Sequence, residues 1–176
     1  MVVNQDSDKL KDSYDAVADE YVKRIFDELK HKPLDSELLD RFAVNVRDIG
    51  PVCDMGCGPG HVARYLHDRG VNVTGIDLSS RMVELARQLN PDINFQQGNM
   101  LSLDADDEAW GGILAFYCLI HIPREKMAVA LQELKRILRQ GGLMLLSFHL
   151  GREIIHLDEL WEKKCQFDII YAISKF

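Results

Sequence analysis

A short glycine-rich segment is the part of the sequence most suggestive of chemistry. It reads Asp54-Met55-Gly56-Cys57-Gly58-Pro59-Gly60 and begins within a short apolar run. Glycines tolerate positive φ and carry no Cβ, so a ligand can lie directly against the backbone. In the dinucleotide fingerprint G-x-G-x-x-G a third glycine would fall at position 61, where this chain has His61. The segment therefore predicts a ligand loop with a tighter spacing than the dinucleotide one.

Two carboxylates accompany this loop, each at the end of a predicted strand. Asp54 would repel a pyrophosphate placed over the loop, and it suits a ligand with positive charge, such as an α-ammonium group beside a sulfonium. Asp77 ends the next predicted strand, where an acid can accept hydrogen bonds from two ribose hydroxyls. A carboxylate at the start of a helix is the other interpretation of Asp77, and its spacing from Asp54 favours the ribose.

The elements that must position these residues alternate between strand and helix from Pro51 onward. Short apolar runs predict five strands, at 52–55, 71–76, 93–96, 112–116 and 143–148. Helical patterns fill the intervals, and Gly70 and Gly141 are predicted to end two of these helices. Alternation at this spacing predicts an α/β fold with a doubly wound, mostly parallel sheet. Two amphipathic helices precede it, one over 8–30 and one after Pro33.

In these segments the chain resembles the class I S-adenosylmethionine-dependent methyltransferases. The similar pieces occur in the family's order, and they are 52–60, Gly75-Ile76-Asp77-Leu78-Ser79, Gln97-Gly98-Asn99-Met100 and Gly141-Gly142-Leu143. The stretch from Tyr14 to Tyr21 also resembles the N-terminal helix of small-molecule methyltransferases, so the likeness spans about residues 10–150. The resemblance implies a Rossmann-like fold, S-adenosylmethionine as cofactor, and transfer of a methyl group to a small-molecule acceptor.

The resemblance also implies roles for individual residues. The implied cofactor-binding residues, from the methionine end to the adenine end, are Asp54, Gly56, Cys57, Gly58, Gly60, Asp77, Leu78, Met82, Asn99 and Met100. Tyr14 and Tyr21 are candidates for a lid over the cofactor, and Tyr117 would lie near the transferable methyl group. The family commonly has an acid where this chain has Asn99, whose side-chain oxygen can still accept from the adenine amino group.

Two histidines follow predicted strands at the edge where open α/β sheets bind ligands. His121 follows the fourth strand and His149 ends the fifth. Methyl transfer to oxygen or nitrogen requires removal of the acceptor proton, and imidazole titrates in a suitable range. His121 is therefore the candidate base, with Tyr117 as a second catalytic candidate. A histidine held by a neighbouring loop is the alternative. The spacing of His149, His156 and Asp158 matches no metal-ligand pattern, so no metal is predicted.

Composition narrows the class of protein further. The chain has 176 residues, 47% of them hydrophobic, and a formal net charge of −7. An acidic domain is a poor candidate for binding nucleic acid, and no apolar run is long enough to span a bilayer. Four cysteines without a Cys-x-x-Cys pair, and an N-terminus without a secretory signal pattern, predict a cytoplasmic protein with free thiols.

The end of the chain is predicted to be the unusual part. After Leu150 we predict a short helix over 153–164 and a strand over 167–171, whereas the resembled family continues with a helix and an antiparallel strand pair. We therefore expect an N-terminal helical lid (1–50), a cofactor-binding Rossmann-like core (51–150) and an incomplete substrate half (151–176). The exposed edge of the fifth strand predicts a homodimer or a marginally stable monomer, with 143–172 near the contact, unless 167–171 folds back onto that edge.

The sequence disfavours two other functions and leaves a third as the alternative to a small-molecule methyltransferase. An NAD-dependent oxidoreductase is disfavoured by Asp54 and by the glycine spacing. A nucleic-acid methyltransferase is disfavoured because 117–120 lacks the Asn/Asp-Pro-Pro-aromatic motif of amino-methylating enzymes. A cofactor-binding relative without catalysis is the alternative that the short C-terminal segment supports.

Overall fold

The computed structural model describes residues 3–172, with side chains from Ser7 onward, so the outer ends of the predicted lid and C-terminal segment (1–2 and 173–176) lie outside the described residues. Its main sheet has the strand order β3-β2-β1-β4-β5, and every pair of neighbouring strands in it is parallel. The strands are β1 (Val52–Met55), β2 (Val73–Asp77), β3 (Asn94–Gln97), β4 (Trp110–Phe116) and β5 (Leu138–Ser147). The predicted α/β fold class is confirmed.

Helices connect these strands and also precede them. They are α1 (Val3–Ile25), α2 (Pro33–Val46), α3 (His61–His67), α4 (Ser80–Leu89) and α5 (Arg124–Ile137). The helix predicted over 8–30 ends at Ile25 and is followed by a 3₁₀ turn, Glu28–His31. Within residues 3–172 no helix has both the length and the apolar character that crossing a bilayer requires.

Adjacent residues of the central strands point into two different hydrophobic clusters. Leu114 packs in a cluster with Leu39 of α2 and Leu66 of α3, whereas Ile113 packs in a cluster with Leu134 of α5. Successive side chains of a strand face opposite sides of the sheet, so β4 is buried on both faces. The rigid centre of the sheet therefore fixes the loops that follow β1 and β4.

The C-terminal segment contradicts the predicted helix over 153–164. It forms an antiparallel hairpin of β6 (Ile154–Leu160) and β7 (Lys163–Ile170). The two connecting residues, Trp161 and Glu162, have φ values of 51° and 64°. Positive φ at both central residues is the type I′ hairpin geometry, which sequences usually mark with Asn or Gly. Because neither residue type is present here, the turn is hidden from a sequence pattern.

The hairpin packs on α1 and leaves β5 at the edge of the main sheet, although shortly after β5 Leu150 forms a parallel bridge with Ala172. Cys165 and Phe167 are buried against Val17, and the Phe167 ring lies 4.7 Å from that of Tyr14 between centroids. The chain therefore does contain an antiparallel strand pair, but this pair forms a sheet of its own and does not extend the main sheet, as the pair of the resembled family would. Phe167 pairs with Leu157 of β6, so the expectation that 167–171 could fold back onto β5 is wrong. Among the described strands, β5 pairs with β4 alone.

The start of β5 also differs from the prediction. The fifth helix ends at Ile137 rather than at Gly141, and the chain passes directly into the strand. Leu138 pairs with Trp110, and the register then shifts before Leu143 pairs with Gly112. Gly141 has a φ of 75°, so this glycine serves the irregular start of the strand and not a helix end.

Candidate functional site

A cavity of about 570 Å³ opens at the carboxyl ends of the parallel strands. This is the edge at which open α/β sheets bind ligands, and the volume is typical of small-molecule sites. Residues of α1 and of the β6–β7 hairpin line it as well, so both ends of the chain contribute to its walls. The residues predicted from sequence that line it are Tyr14, Tyr21, Asp54, Gly56, Cys57, Gly58, Asp77, Leu78, Met82, Asn99, Met100, Tyr117 and His121.

The glycine loop after β1 follows the expected backbone geometry. Gly56, Gly58 and Gly60 have φ values of 68°, 52° and 80°. A Cβ on Gly56 would lie 2.3 Å from the Cβ of Cys118, so this position admits glycine alone. Gly60 departs from its predicted role, because the described lining of the cavity does not include it. Its Cβ would lie 2.6 Å from the Phe95 ring, so packing requires this glycine.

Asp77 joins the glycine loop to the start of α4. The Gly58 N–H donates to its Oδ2 and the Ser79 N–H donates to its Oδ1, each at 2.8 Å. Burial raises the pKa of Asp77 to about 6, against the lowering effect of these two hydrogen bonds. Each carboxylate oxygen has a second lone pair, so Asp77 keeps acceptor capacity on the cavity side.

Asp54, which is 1% exposed, is left incompletely paired. Its carboxylate accepts a hydrogen bond from the backbone of Ala63, but Oδ2 has no partner among the described residues. Burial, and secondly the negative charge of Asp77, raise the pKa of Asp54 to about 8. A buried acceptor without a donor costs free energy, so a cationic group entering the cavity would satisfy Oδ2.

The side of the cavity next to β2 and β3 is mainly apolar. Met82 and Met100 are buried there, beside the partly buried Leu78. Asn99 is partly committed, because its Oδ1 accepts from the Leu101 N–H at 2.9 Å. An amide oxygen has two lone pairs, so one acceptor position of Asn99 remains for a ligand.

His121 is held at both ring nitrogens. Its Nδ1 lies 3.0 Å from the backbone oxygen of Asp168, and its Nε2 lies 2.6 Å from the Tyr14 hydroxyl. A carbonyl oxygen can only accept, so Nδ1 carries the proton and Nε2 accepts from Tyr14. Burial lowers the pKa of His121 and raises that of Tyr14 well above its ordinary value. The neutral imidazole therefore directs its lone pair at a phenol rather than at open solvent.

Tyr117 and His149, which were also expected near the ligand, have different environments from His121. Tyr117 lines the cavity with a φ of 54°, and burial first, then the negative charge of Asp35, raises its pKa. The described lining does not include His149, whose ring stacks between Tyr117 and Tyr171 at 5.2 and 5.3 Å. Of the two histidines expected beside the ligand, the structure brings only His121 to the cavity.

Several lining residues were not singled out from the sequence for this cavity. Glu28 and His61 line the cavity beside the glycine loop, and His156 and Asp168 line it from the hairpin. His156 Nδ1 lies 2.7 Å from the Asp168 carboxylate, which raises the pKa of His156. The alternation of apolar and polar residues over 165–169 is the sequence signal that could have predicted this strand.

Comparison with known proteins gives consistent matches. A family model described as a methyltransferase domain matches residues 52–142. The malonyl-[acyl-carrier protein] O-methyltransferase of Enterobacter lignolyticus is 30% identical over 119 residues, which are 65% of this chain and 45% of that protein. The uncharacterized methyltransferase YcgJ of Bacillus subtilis is 33% identical over 113 residues, 61% of this chain and 44% of that protein.

A solved structure extends the similarity to most of the chain. The structure of the DhpI–SAH complex aligns with a TM-score of 0.75 and 21% identity, over 95% of this chain and 80% of that one. At this identity the match shows that the fold is shared. The chain spans less than half the length of the two sequence relatives.

Proposed function

Since the chain belongs to the class I S-adenosylmethionine-dependent methyltransferases, as the family model over 52–142 shows, we propose that it methylates a small-molecule acceptor. The observation that carries the proposal is the unpartnered Oδ2 of Asp54 at the end of β1. An acceptor atom in that place matches the α-ammonium of S-adenosylmethionine and opposes the pyrophosphate of a dinucleotide. The family model confirms the predicted family.

The residues of the cavity fit S-adenosylmethionine from end to end. Asp77 has acceptor capacity for the ribose hydroxyls, and the apolar wall of Leu78, Met82 and Met100 suits the adenine ring. Asn99 has one acceptor position for the adenine amino group. Gly56, Cys57 and Gly58 would carry the methionine end beside Asp54. We retain the division into lid (1–50), core (51–150) and C-terminal segment (151–176), with Tyr14 and Tyr21 on the lid.

The chain's own residues can position the acceptor and remove its proton. When bound, S-adenosylmethionine supplies an electrophilic methyl group on a sulfonium. Tyr14 and His121 form a hydrogen-bonded pair at the cavity wall. As the Tyr14 oxygen takes the acceptor proton, its own proton passes to Nε2 of His121, and the Asp168 carbonyl keeps Nδ1 oriented. The direct base role predicted for His121 thus becomes a relayed one. Tyr117 positions the acceptor from the β4 side.

Binding of S-adenosylhomocysteine is the test of the proposed function. Calorimetry on the purified protein should give one site per chain, and NAD should give none. Tight NAD binding, or no heat with S-adenosylhomocysteine, would contradict the proposal. A methyl-transfer screen over small hydroxyl, amine and carboxyl compounds then identifies the acceptor. S-adenosylhomocysteine binding with no product in any acceptor class would instead support a relative without catalysis.

Removing either member of the Tyr14–His121 pair should slow turnover with the first acceptor found. We expect Tyr14→Phe and His121→Asn each to lower kcat by roughly 100-fold, a typical contribution of positioned proton transfer. The Kd for S-adenosylhomocysteine should stay within about 3-fold, since His121 is not assigned to the cofactor and Tyr14→Phe keeps the ring that Tyr14 contributes to the lid. His149→Asn is the matched control, because His149 is outside the described lining of the cavity. Unchanged kcat in His121→Asn would assign His121 a structural role.

We also propose that two copies associate along the free edge of β5. Unpaired strand edges favour association, and Phe148 and Leu150 just beyond this strand are 42% and 64% exposed. Sedimentation should give twice the 20.1 kDa chain mass. Phe148→Lys should dissociate the dimer, whereas Leu34→Lys, at a leucine on α2 that is 67% exposed, should not. A monomeric wild-type protein at micromolar concentration would refute this interface.

The cysteines and the net charge bear on the location of the protein and on the class of its acceptor. All four cysteines are free thiols in the structure, three of them buried, which supports a cytoplasmic location. The formal net charge of −7 supports a small molecule, and not a nucleic acid, as the acceptor.

A further inference from the structure

The side of the cavity beyond β4 carries positive charge that the proposed cofactor does not explain. The described lining includes the basic side chains of Lys9 in α1 and of Arg124 and Lys126 in the first turn of α5, where Glu125 is the acid. The carboxylates assigned to the cofactor follow β1 and β2 instead. S-adenosylmethionine has a net positive charge, so it gives no reason for arginine or lysine in this wall. A second ligand of opposite charge does.

Arg124 has a charge that no described group balances. Its Nη2 donates to the backbone oxygens of Arg152 and Tyr171, at 3.4 and 3.5 Å, which places the guanidinium at the base of the hairpin. These oxygens carry no formal charge, and within residues 7–172 Arg124 forms no ion pair. Its Nε and Nη1 donors are likewise unused by the described residues, and the side chain is exposed, so a ligand can reach it.

The last strand of the hairpin places Arg124 near the proposed base. His121 Nδ1 lies against the backbone oxygen of Asp168, and Arg124 Nη2 lies against that of Tyr171, three residues later. Three residues of extended chain span roughly 10 Å. One small molecule can therefore contact Arg124 while its reacting group lies at Tyr14, the partner of His121.

The face of the hairpin that lines the cavity is apolar beside Arg124. Ile154 and Ile170 pair across the hairpin, and both line the cavity. The next pair on this face is His156 and Asp168, whose side chains contact each other at 2.7 Å. The Asp168 carboxylate raises the pKa of His156, so the two charges compensate each other. This face therefore offers an apolar surface next to the guanidinium, and its carboxylate is already paired.

We propose that the methyl acceptor is an organic anion whose carboxylate or phosphonate group Arg124 binds and whose hydroxyl or amine lies at Tyr14; this assignment rests on the proposed function. The guanidinium fork matches the paired oxygens of either anion. The apolar body of the acceptor lies against Ile154 and Ile170. The acceptor oxygen or nitrogen bonds to the methyl carbon, the C–S electron pair stays on sulfur, and the acceptor proton goes to the Tyr14–His121 pair. The anionic group is unchanged.

Matched acceptor pairs test the charge. Each pair is a hydroxy or amino acid and its methyl ester, such as para-hydroxybenzoate and methyl para-hydroxybenzoate, and para-hydroxyphenylphosphonate distinguishes phosphonate from carboxylate recognition. In every productive pair we expect kcat/KM for the anion to exceed that for the ester roughly 10-fold or more, the effect of one charge-assisted contact. Equal or better turnover of the esters would overturn the proposal.

Substitutions of Arg124 test the residue. Arg124→Gln should raise the KM for the anion roughly 10- to 30-fold and leave kcat within about 3-fold, since the contact is the same in ground and transition states. Arg124→Lys restores the charge without the fork, so it should recover part of the loss. Lys135→Gln, on the same helix but outside the described lining, makes the same change of net charge and should alter neither constant.

Calorimetry with the S-adenosylhomocysteine-bound protein gives a readout that needs no turnover. Para-hydroxybenzoate or the phosphonate should bind more tightly than the methyl ester, and Arg124→Gln should abolish this difference. If Arg124 only supports the hairpin through Arg152 and Tyr171, Arg124→Gln would impair acids and esters alike, which would overturn the proposal. Binding of S-adenosylhomocysteine without preference for either anion would refute the role of Arg124 alone. If wild type does not bind S-adenosylhomocysteine, the proposed function itself fails.

Discussion

Asp77→Ala should weaken S-adenosylhomocysteine binding by roughly 1000-fold, the largest loss expected from any single substitution in the cavity. The change removes the acceptor for two ribose hydroxyls, and each charge-assisted bond contributes about 1.5–3 kcal/mol. It also releases the backbone N–H groups of Gly58 and Ser79, which donate to this carboxylate. The glycine loop would lose its hydrogen-bonded link to the start of α4, so the variant loses both the ribose contact and the shape of the loop. Calorimetry measures the loss.

Two further variants isolate the ribose contact from a general effect of charge. Asp92→Asn removes an exposed carboxylate that pairs with Arg64, neither of them in the described lining of the cavity, and it should leave the Kd unchanged. Asp77→Asn keeps one acceptor oxygen and should lose less affinity than Asp77→Ala. Affinity in Asp77→Ala within 10-fold of wild type would exclude the ribose role.

The raised pKa of Asp77 adds a dependence on pH. In the proposed site ribose hydroxyls donate to the ionised carboxylate, and burial raises the Asp77 pKa to about 6. Protonation below that pH removes the charge and turns one acceptor oxygen into a donor, so the affinity of wild type should fall as the pH drops from 7 to 5. Asp77→Asn cannot titrate and should lose this acid limb.

Asp54→Asn should stabilise the ligand-free protein at pH 8 and weaken ligand binding. Burial raises the Asp54 pKa to about 8, far above its value in an unfolded chain. Unfolding therefore releases a proton between about pH 4 and pH 8, and the free energy of unfolding falls as the pH rises through this range. An amide has no charge to bury, so the variant should gain on the order of 3 kcal/mol at pH 8 after the cost of its own unpaired group.

The gain should shrink toward pH 5, where the native carboxyl is protonated and most of the unfavourable linkage is absent. Denaturant unfolding at both pH values measures the difference. S-adenosylhomocysteine affinity should fall at pH 8, because the ammonium loses its counter-charge. Asp35→Asn is the matched control and should not gain stability at pH 8, since Asp35 is a buried carboxylate with a cation beside it, the Lys32 Nζ at 4.0 Å. A loss of stability in Asp54→Asn at pH 8 would mean that the orphaned oxygen is satisfied in the folded protein.

The sequence alone determined the central part of this protein. Residues 52–55 were predicted as a strand and are β1, and Ser79, the last residue of the motif quoted from the sequence, caps α4 by accepting from the Met82 N–H. Asp54, Gly56, Gly58 and Asp77 were named for the ligand and line the cavity. These features are local, because strand periodicity, capping and the demand for glycine at positive φ are written in neighbouring residues.

Only the tertiary structure decided what surrounds that centre. The hairpin β6–β7 escaped the sequence because Trp161 and Glu162 form its turn without the usual turn residues. Tyr14 meets His121 across 107 positions of sequence, and His61 meets Glu28 across 33. Such pairings depend on how whole elements pack, since a hydrogen bond needs its two groups within about 3 Å and no local pattern encodes that approach. The glycine loop can therefore be predicted from the sequence, whereas the hydrogen-bond partners of His61 and His121 are decided by the tertiary structure.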